Sequence, residues 1–234
     1  MIETIHYNTN VFNFRNLFEN CLGELESIHK NFDILEVEEL TGGGVCDPVE
    51  NTQYGLIEKL FQEVVHQHQF QDMWNNFCKT VIKFYFDNDK ILVQKLPSIK
   101  IFPSKHNWKF VENIDYVDER PVNFHYEYEH PFHHPMFELN FIVPLIDMDD
   151  HNGIFVDKTY FSPNYGDVLI FDQLEHGGYV KNESSNTRVS IDFKALKYKN
   201  YDSSLLSDTI MVKKRGKWMP QKDVFNTEYY YKEL

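Results

Sequence analysis

His125-Tyr126-Glu127 is followed 49 residues after Glu127 by His176, and 12 residues after that by Arg188. Two imidazoles and one carboxylate are the side chains of a facial triad, which holds a non-haem Fe(II) and leaves positions open for a co-substrate and O2. An arginine shortly after the distal histidine is placed to clamp a dicarboxylate. The spacing therefore points to an oxygenase if these residues meet in space, and to an anonymous β-rich globule if they do not.

Alternate residues of a strand share a face. His125 and Glu127 then point together, while Phe124, Tyr126 and Tyr128 point away into a packed layer. A His-x-Glu pair alone equally describes a polar strand face. Other ligand sets lie close by: Glu129 shares the strand face, and His130, His133 and His134 follow in a loop where Pro131 and Pro135 suit a solvated turn. His66 and His68 diverge on a helix and belong at the surface.

His176 comes after the strand Asp167-Val-Leu-Ile-Phe-Asp, which the turn Asn164-Tyr165-Gly166 opens. Gly177 and Gly178 follow it and permit close approach of the backbone to an ion or ligand. Along the next strand Arg188, Ser190 and Asp192 alternate with Val189, Ile191 and Phe193. A guanidinium fork and a hydroxyl on one face can hold a carboxylate; an arginine paired with a surface acid is the plainer alternative. Glu138 and Asn140 share a face opposite Leu139, Phe141 and Val143, which suggests a lined cavity or partners that orient ligands.

The elements that must position these groups divide the chain near residue 90. Residues 11–31 carry apolar side chains at roughly helical spacing, as do residues 54–65. In residues 70–85, Phe70, Met73, Trp74, Phe77 and Val81 form an apolar stripe suited to a helix lying on another surface. Thr41-Gly42-Gly43-Gly44 and Asp47-Pro48 mark a break. From Ile91 onward the pattern becomes short strands with turns between them: 91–95, 98–102, 122–127, 138–145, 153–156, 167–171, 177–181 and 188–193. Such a series marks a sandwich, jelly roll or barrel. The expected organisation is a helical part over 1–90, an all-β core over 91–196 and an unassigned segment over 197–234, within one domain.

Composition sets the outer limits. The chain has 234 residues, 42% hydrophobic and 16% aromatic, which suits one folded domain with a substantial core. Its net charge of −13 argues against general affinity for nucleic acid, whose phosphates require Lys and Arg. The charge is uneven, with nine Lys/Arg and five Asp/Glu over residues 194–234. Cys21, Cys46 and Cys78 are sparse and form no C-x-x-C pair, as expected of free thiols in a reducing compartment. No signal peptide is recognisable, and no apolar run approaches the ~20 residues that cross a bilayer. A cytoplasmic protein is the expectation.

From Leu96 to about Leu196 the sequence resembles the 2-oxoglutarate/Fe(II)-dependent dioxygenases. It is most similar to the branch of streptomycin-biosynthesis-type and phytanoyl-CoA-hydroxylase-like proteins. The resemblance rests on His134-Pro-Met-Phe-Glu-Leu-Asn-Phe-Ile-Val-Pro-Leu, Tyr165-Gly-Asp-Val-Leu-Ile-Phe, His176-Gly and Thr187-Arg-Val-Ser-Ile-Asp-Phe. It implies a double-stranded β-helix, or jelly roll. It also implies His125, Glu127 and His176 as iron ligands, Arg188 with Ser190 on the distal carboxylate of 2-oxoglutarate, and Asn140 facing the pocket. Two departures stand out: Glu127 occupies the place of the usual Asp, and residues 104–121 are longer than expected. The implied activity is hydroxylation of a small molecule with O2, with succinate and CO2 released. The alternative of another class is a cupin-like barrel that holds a metal for isomerisation or ligand binding without redox chemistry.

Overall fold

One ten-residue strand, Arg188–Lys197, organises the molecule. The computed structural model describes residues 1–31, 53–102, 115–117, 120–125, 133–135, 137–172, 175, 177–180, 182–214 and 217–234. The helices are α1 (Phe14–Leu22), α2 (Gln53–His66), α3 (His68–Phe77), α4 (Lys83–Tyr85) and α5 (Gln221–Val224). The first strands are β1 (Ile2–His6), β2 (Ile91–Gln94), β3 (Ser98–Phe102), β4 (Asp115–Val117), β5 (Arg120–His125), β6 (Leu139–Pro144) and β7 (Ile154–Val156). The rest are β8 (Thr159–Phe161), β9 (Asp167–Asp172), β10 (Gly177–Val180), β11 (Arg188–Lys197), β12 (Met211–Lys214), β13 (Lys217–Pro220) and β14 (Tyr231–Glu233).

The strands form a seven-stranded sheet in the order β1-β9-β6-β11-β2-β14, with β3 also on β11, and a five-stranded sheet in the order β4-β5-β10-β7-β8. All the pairings within these two sheets are antiparallel. The fold is thus mainly β with helices at its side, as the sequence pattern predicts. β12 and β13 form a separate hairpin.

The alternation in β11 sorts its two faces. Val189, Ile191, Phe193 and Ala195 join one apolar cluster with Phe14, Phe18, Phe70, Trp74 and Phe77 of the helices. The Trp74 ring meets Phe193 edge-on at 4.7 Å, fixing α3 against the sheet. On the other face, Ile142, Leu169 and Phe171 of the large sheet cluster with Ile154 and Val156 of the small one, so the two sheets pack face to face. A third cluster, built from Leu92, Leu196, Leu206, Val212, Val224, Phe225, Tyr230 and Tyr231, attaches the C-terminal residues to one end of the large sheet.

Local chemistry sets the ends of α1. The Asn13 side chain accepts the Asn16 N–H at 3.0 Å, and Gly23 at φ 86° ends the helix in a conformation other residues rarely adopt. The helical pattern over 11–31 therefore becomes α1 plus a 3-10 turn, Leu25–Asn31. The stripe over 70–85 runs through α3, a π turn at Cys78–Ile82 and α4. Sequence periodicity does not reveal β1, which pairs with β9 at the sheet edge, or β14, which pairs with β2.

Cys78 lies wholly buried in the π turn, and burial pushes its thiol up to about 12, whereas Cys21 is exposed. Since the thiolate is the nucleophile, Cys78 resists iodoacetamide in the native protein at pH 8 and Cys21 does not. Peptide mapping with and without denaturant checks this. Labelling of native Cys78 at the rate of Cys21 would contradict the burial. Cys46 lies outside the described residues.

Candidate active site

β5 and β10 pair with His125 opposite Gly177, Phe124 opposite Gly178 and Val122 opposite Val180. Facing residues of an antiparallel pair have Cα atoms ~4.5–5.5 Å apart. Gly177 directly follows His176 in sequence, so the register sets His125 opposite the residue next to His176. The His125 side chain, and Glu127 and His176 entirely, lie outside the described residues, as do Glu129 and His130. Among the described residues no three His, Cys, Asp or Glu side chains are grouped to hold a metal.

Around this junction the two sheets come into contact. A Cβ on Gly177 would lie 3.2 Å from Cε2 of Phe171, so the close approach that this glycine permits is made by an aromatic ring of the large sheet. Phe171 faces Asn140 across β9 and β6, and Asn140 faces Lys194 across β6 and β11. The Lys194 ammonium donates to Asn140 Oδ1 at 2.9 Å, and both side chains are buried. Asn140 is thus part of a row running from His125 through Gly177 and Phe171 to Lys194. Sequence reading did not single out Lys194, although it continues the alternation of Arg188, Ser190 and Asp192.

Arg188 and Ser190 are fully buried on that same face of β11. The Arg188 Nη1 donates to the carbonyls of Asn152 at 2.5 Å and Gly153 at 2.9 Å, and the guanidinium lies 3.8 Å from the centre of the Phe102 ring. Ser190 donates to Asp192 Oδ1 at 2.6 Å. A polar knot braces this end. Asn182, wholly buried, donates to the carbonyls of Phe102 and Asn186, both at 2.7 Å, and Asn152 donates to Ser184 at 3.2 Å. Arg188 is therefore a buried cation held by carbonyl oxygens and an aromatic face, and not a surface arginine. Gly153 lies three residues before Val156, which faces Gly177. That places the guanidinium's anchor about 10 Å along the strand from the His125 row.

The histidine-rich loop contains one residue of a different kind from the expected solvated turn. His134 is buried, its Nδ1 is 2.9 Å from Glu138 Oε2, and its ring lies 4.6 Å from that of Phe225. Glu138, with no exposure, also accepts a hydrogen bond from the Tyr231 hydroxyl. Burial, and then the neighbouring Glu138 charge, push the Tyr231 hydroxyl well above its ordinary value, so it stays a donor. His66 and His68 are exposed, and His68 pairs with Asp72 at 2.8 Å.

No family model matches the chain. The streptomycin biosynthesis protein StrG of Streptomyces griseus is 34% identical over 73 residues, covering 30% of this chain and 36% of that protein. The aligned stretch thus spans about a third of that relative's length. Among solved structures, the non-heme alpha ketoglutarate dependent epimerase SnoN from nogalamycin biosynthesis is 11% identical, over 84% of this chain and 77% of that one, with a TM-score of 0.45. EctD from S. alaskensis with bound Fe is 13% identical over 85% of this chain and 73% of its own, with a TM-score of 0.44. The carbocyclase SnoK, also from nogalamycin biosynthesis, is 12% identical over 84% and 80%, with a TM-score of 0.43. Among the described residues no helix is long and apolar enough to cross a membrane.

Proposed function

We propose that the protein is a 2-oxoglutarate- and Fe(II)-dependent oxygenase that hydroxylates a small-molecule substrate with O2, releasing succinate and CO2. The observation that carries this reading is the register of β5 on β10, which sets His125 opposite the residue next to His176. Two antiparallel sheets packed about Ile142, Val156, Leu169 and Phe171 suit a double-stranded β-helix.

In this reading His125, Glu127 and His176 hold the iron, and Fe(II) with 2-oxoglutarate supplies the oxidising chemistry when bound. The chain contributes position and dryness. Arg188 and Ser190, both fully buried, would take the far carboxylate of the co-substrate, and the guanidinium would offer it a charge that burial leaves unscreened. Phe171, Ile142 and Leu169 exclude water from the space between the sheets. Asn140 presents its amide to the same space, oriented by Lys194.

Succinate release from 2-oxoglutarate under O2 tests the reading. Arg188→Ala is expected to weaken 2-oxoglutarate at least about 10-fold, the loss of a charged hydrogen bond, while Fe(II) affinity holds. Titration of the anaerobic Fe(II) protein with 2-oxoglutarate measures both. The contacts of Arg188 with the Asn152 and Gly153 carbonyls favour a second reading, in which the arginine only braces the sheets and the barrel holds a metal for non-redox isomerisation or ligand binding. Fe(II) binding with no succinate release for any candidate substrate, and with 2-oxoglutarate affinity unchanged in Arg188→Ala, would select it.

A further inference from the structure

Away from the space between the sheets, a cavity of about 520 Å³ opens beside α3, the end of β2 and the C-terminal residues. Gln71, Gln94, Leu96 and Tyr229 line it, together with two lysines, Lys95 and Lys232. Lys232 projects from β14 toward the helices. Its ammonium donates to Asn75 Oδ1 at 2.5 Å and lies 5.4 Å from the centre of the Trp74 ring. The Lys95 ammonium donates to the backbone carbonyl of Glu228. Glu228 also lines the cavity, yet its carboxylate forms no ion pair with either lysine.

Both cations are thus matched only by neutral oxygen acceptors among the described residues, in a chain with 36 Asp and Glu and a net charge of −13. An ammonium carries three N–H donors, and each of these uses one on the protein. Two like charges facing one cavity repel, and a partly buried one also loses hydration. Burial holds the Lys232 ammonium below the ordinary lysine range. The amides of Gln71 and Gln94 each give one N–H to the carbonyls of Val65 and Leu96, so the charged donors that the lining offers are the ammonium protons. Leu96 and Tyr229 offer an apolar wall for an organic body.

We infer that this cavity is a binding site for a small dianion, a phosphate monoester or a dicarboxylate, held between Lys95 and Lys232. The site is on the helix side of the large sheet and does not depend on the reading of the space between the sheets.

Thermal unfolding of the full chain in inorganic phosphate, in malonate, and in sodium chloride at matched ionic strength tests it. At ten times its dissociation constant, the bound dianion raises Tm by roughly 3–6 °C above the chloride control. Lys95→Met and Lys232→Met each weaken the response at least about 10-fold, and the double variant abolishes it. A shift with phosphate alone assigns a phosphate-bearing ligand, a shift with malonate alone assigns a carboxylate ligand, and equal shifts assign a general dianion site. A chloride shift as large as either, or a shift undiminished in the double variant, overturns the inference. Because Lys232 lies on Trp74, Lys95→Gln provides a variant whose only lost contact is to a backbone carbonyl, and the phosphorus-31 line width reads binding without unfolding. Unchanged broadening in Lys95→Gln overturns the inference equally.

Discussion

His176→Ala leaves a folded protein that no longer holds Fe(II) at micromolar concentration. In the proposed site this imidazole is one of three ligands, and the remaining two cannot enclose the ion. Even partners that only orient a ligand cost 10–100-fold in metal affinity when removed, so losing a ligand exceeds ~100-fold. Under anaerobic conditions the weak visible band expected of Fe(II) with 2-oxoglutarate disappears, and succinate release under O2 falls to background. Melting of the metal-free protein changes little, because the register around Gly177 rests on backbone pairing and on the Phe171 ring. Retention of the band in His176→Ala would remove this residue from the ligand set; the same result in His125→Ala would end the triad.

Glu138→Ala produces the largest expected loss of stability. Glu138 is fully buried between the His134 imidazole and the Tyr231 hydroxyl, joining the start of β6 to the C-terminal strand. Removing one member of a buried charged network leaves the others without compensation, at a cost of about 3–5 kcal/mol. For a domain of this size that lowers Tm by roughly 6–20 °C. Glu138→Gln keeps an acceptor for Tyr231 and loses the charge, and its midpoint in guanidinium falls between those of the parent and the alanine variant. A loss below about 1 kcal/mol in Glu138→Ala would show that the network is neutral to stability.

The parts of the fold legible in the sequence are those buried on a regular face. Val189, Ile191 and Phe193 alternate because one side of β11 meets the helices, and Phe70, Trp74 and Phe77 recur at helical spacing because one side of α3 meets the sheet. β1 and β14 gave no such signal. Edge strands of five and three residues are too short and too exposed to carry a pattern. At the site, the types and order of His125, Asn140, Arg188 and Ser190 were legible, but their surroundings were not. The carbonyls of Asn152 and Gly153 come to Arg188 through tertiary packing. The His134 loop departs from its sequence pattern for a related reason: the flanking prolines suit a solvated turn, while Glu138, Phe225 and Tyr231 draw the imidazole inside.

The pairing of β14 with β2 has a kinetic consequence. Gln94 faces Tyr231 across 137 positions of the chain. At translation rates of about 5–20 residues per second, one edge of β2 waits roughly seven to twenty-seven seconds for its partner after leaving the ribosome. During that interval Ile91, Leu92 and Val93 offer an unpaired apolar edge that can template association between nascent chains. Yield in a heterologous host should therefore respond to slower synthesis at low temperature and to chaperone supply, even though the finished sheet covers this edge.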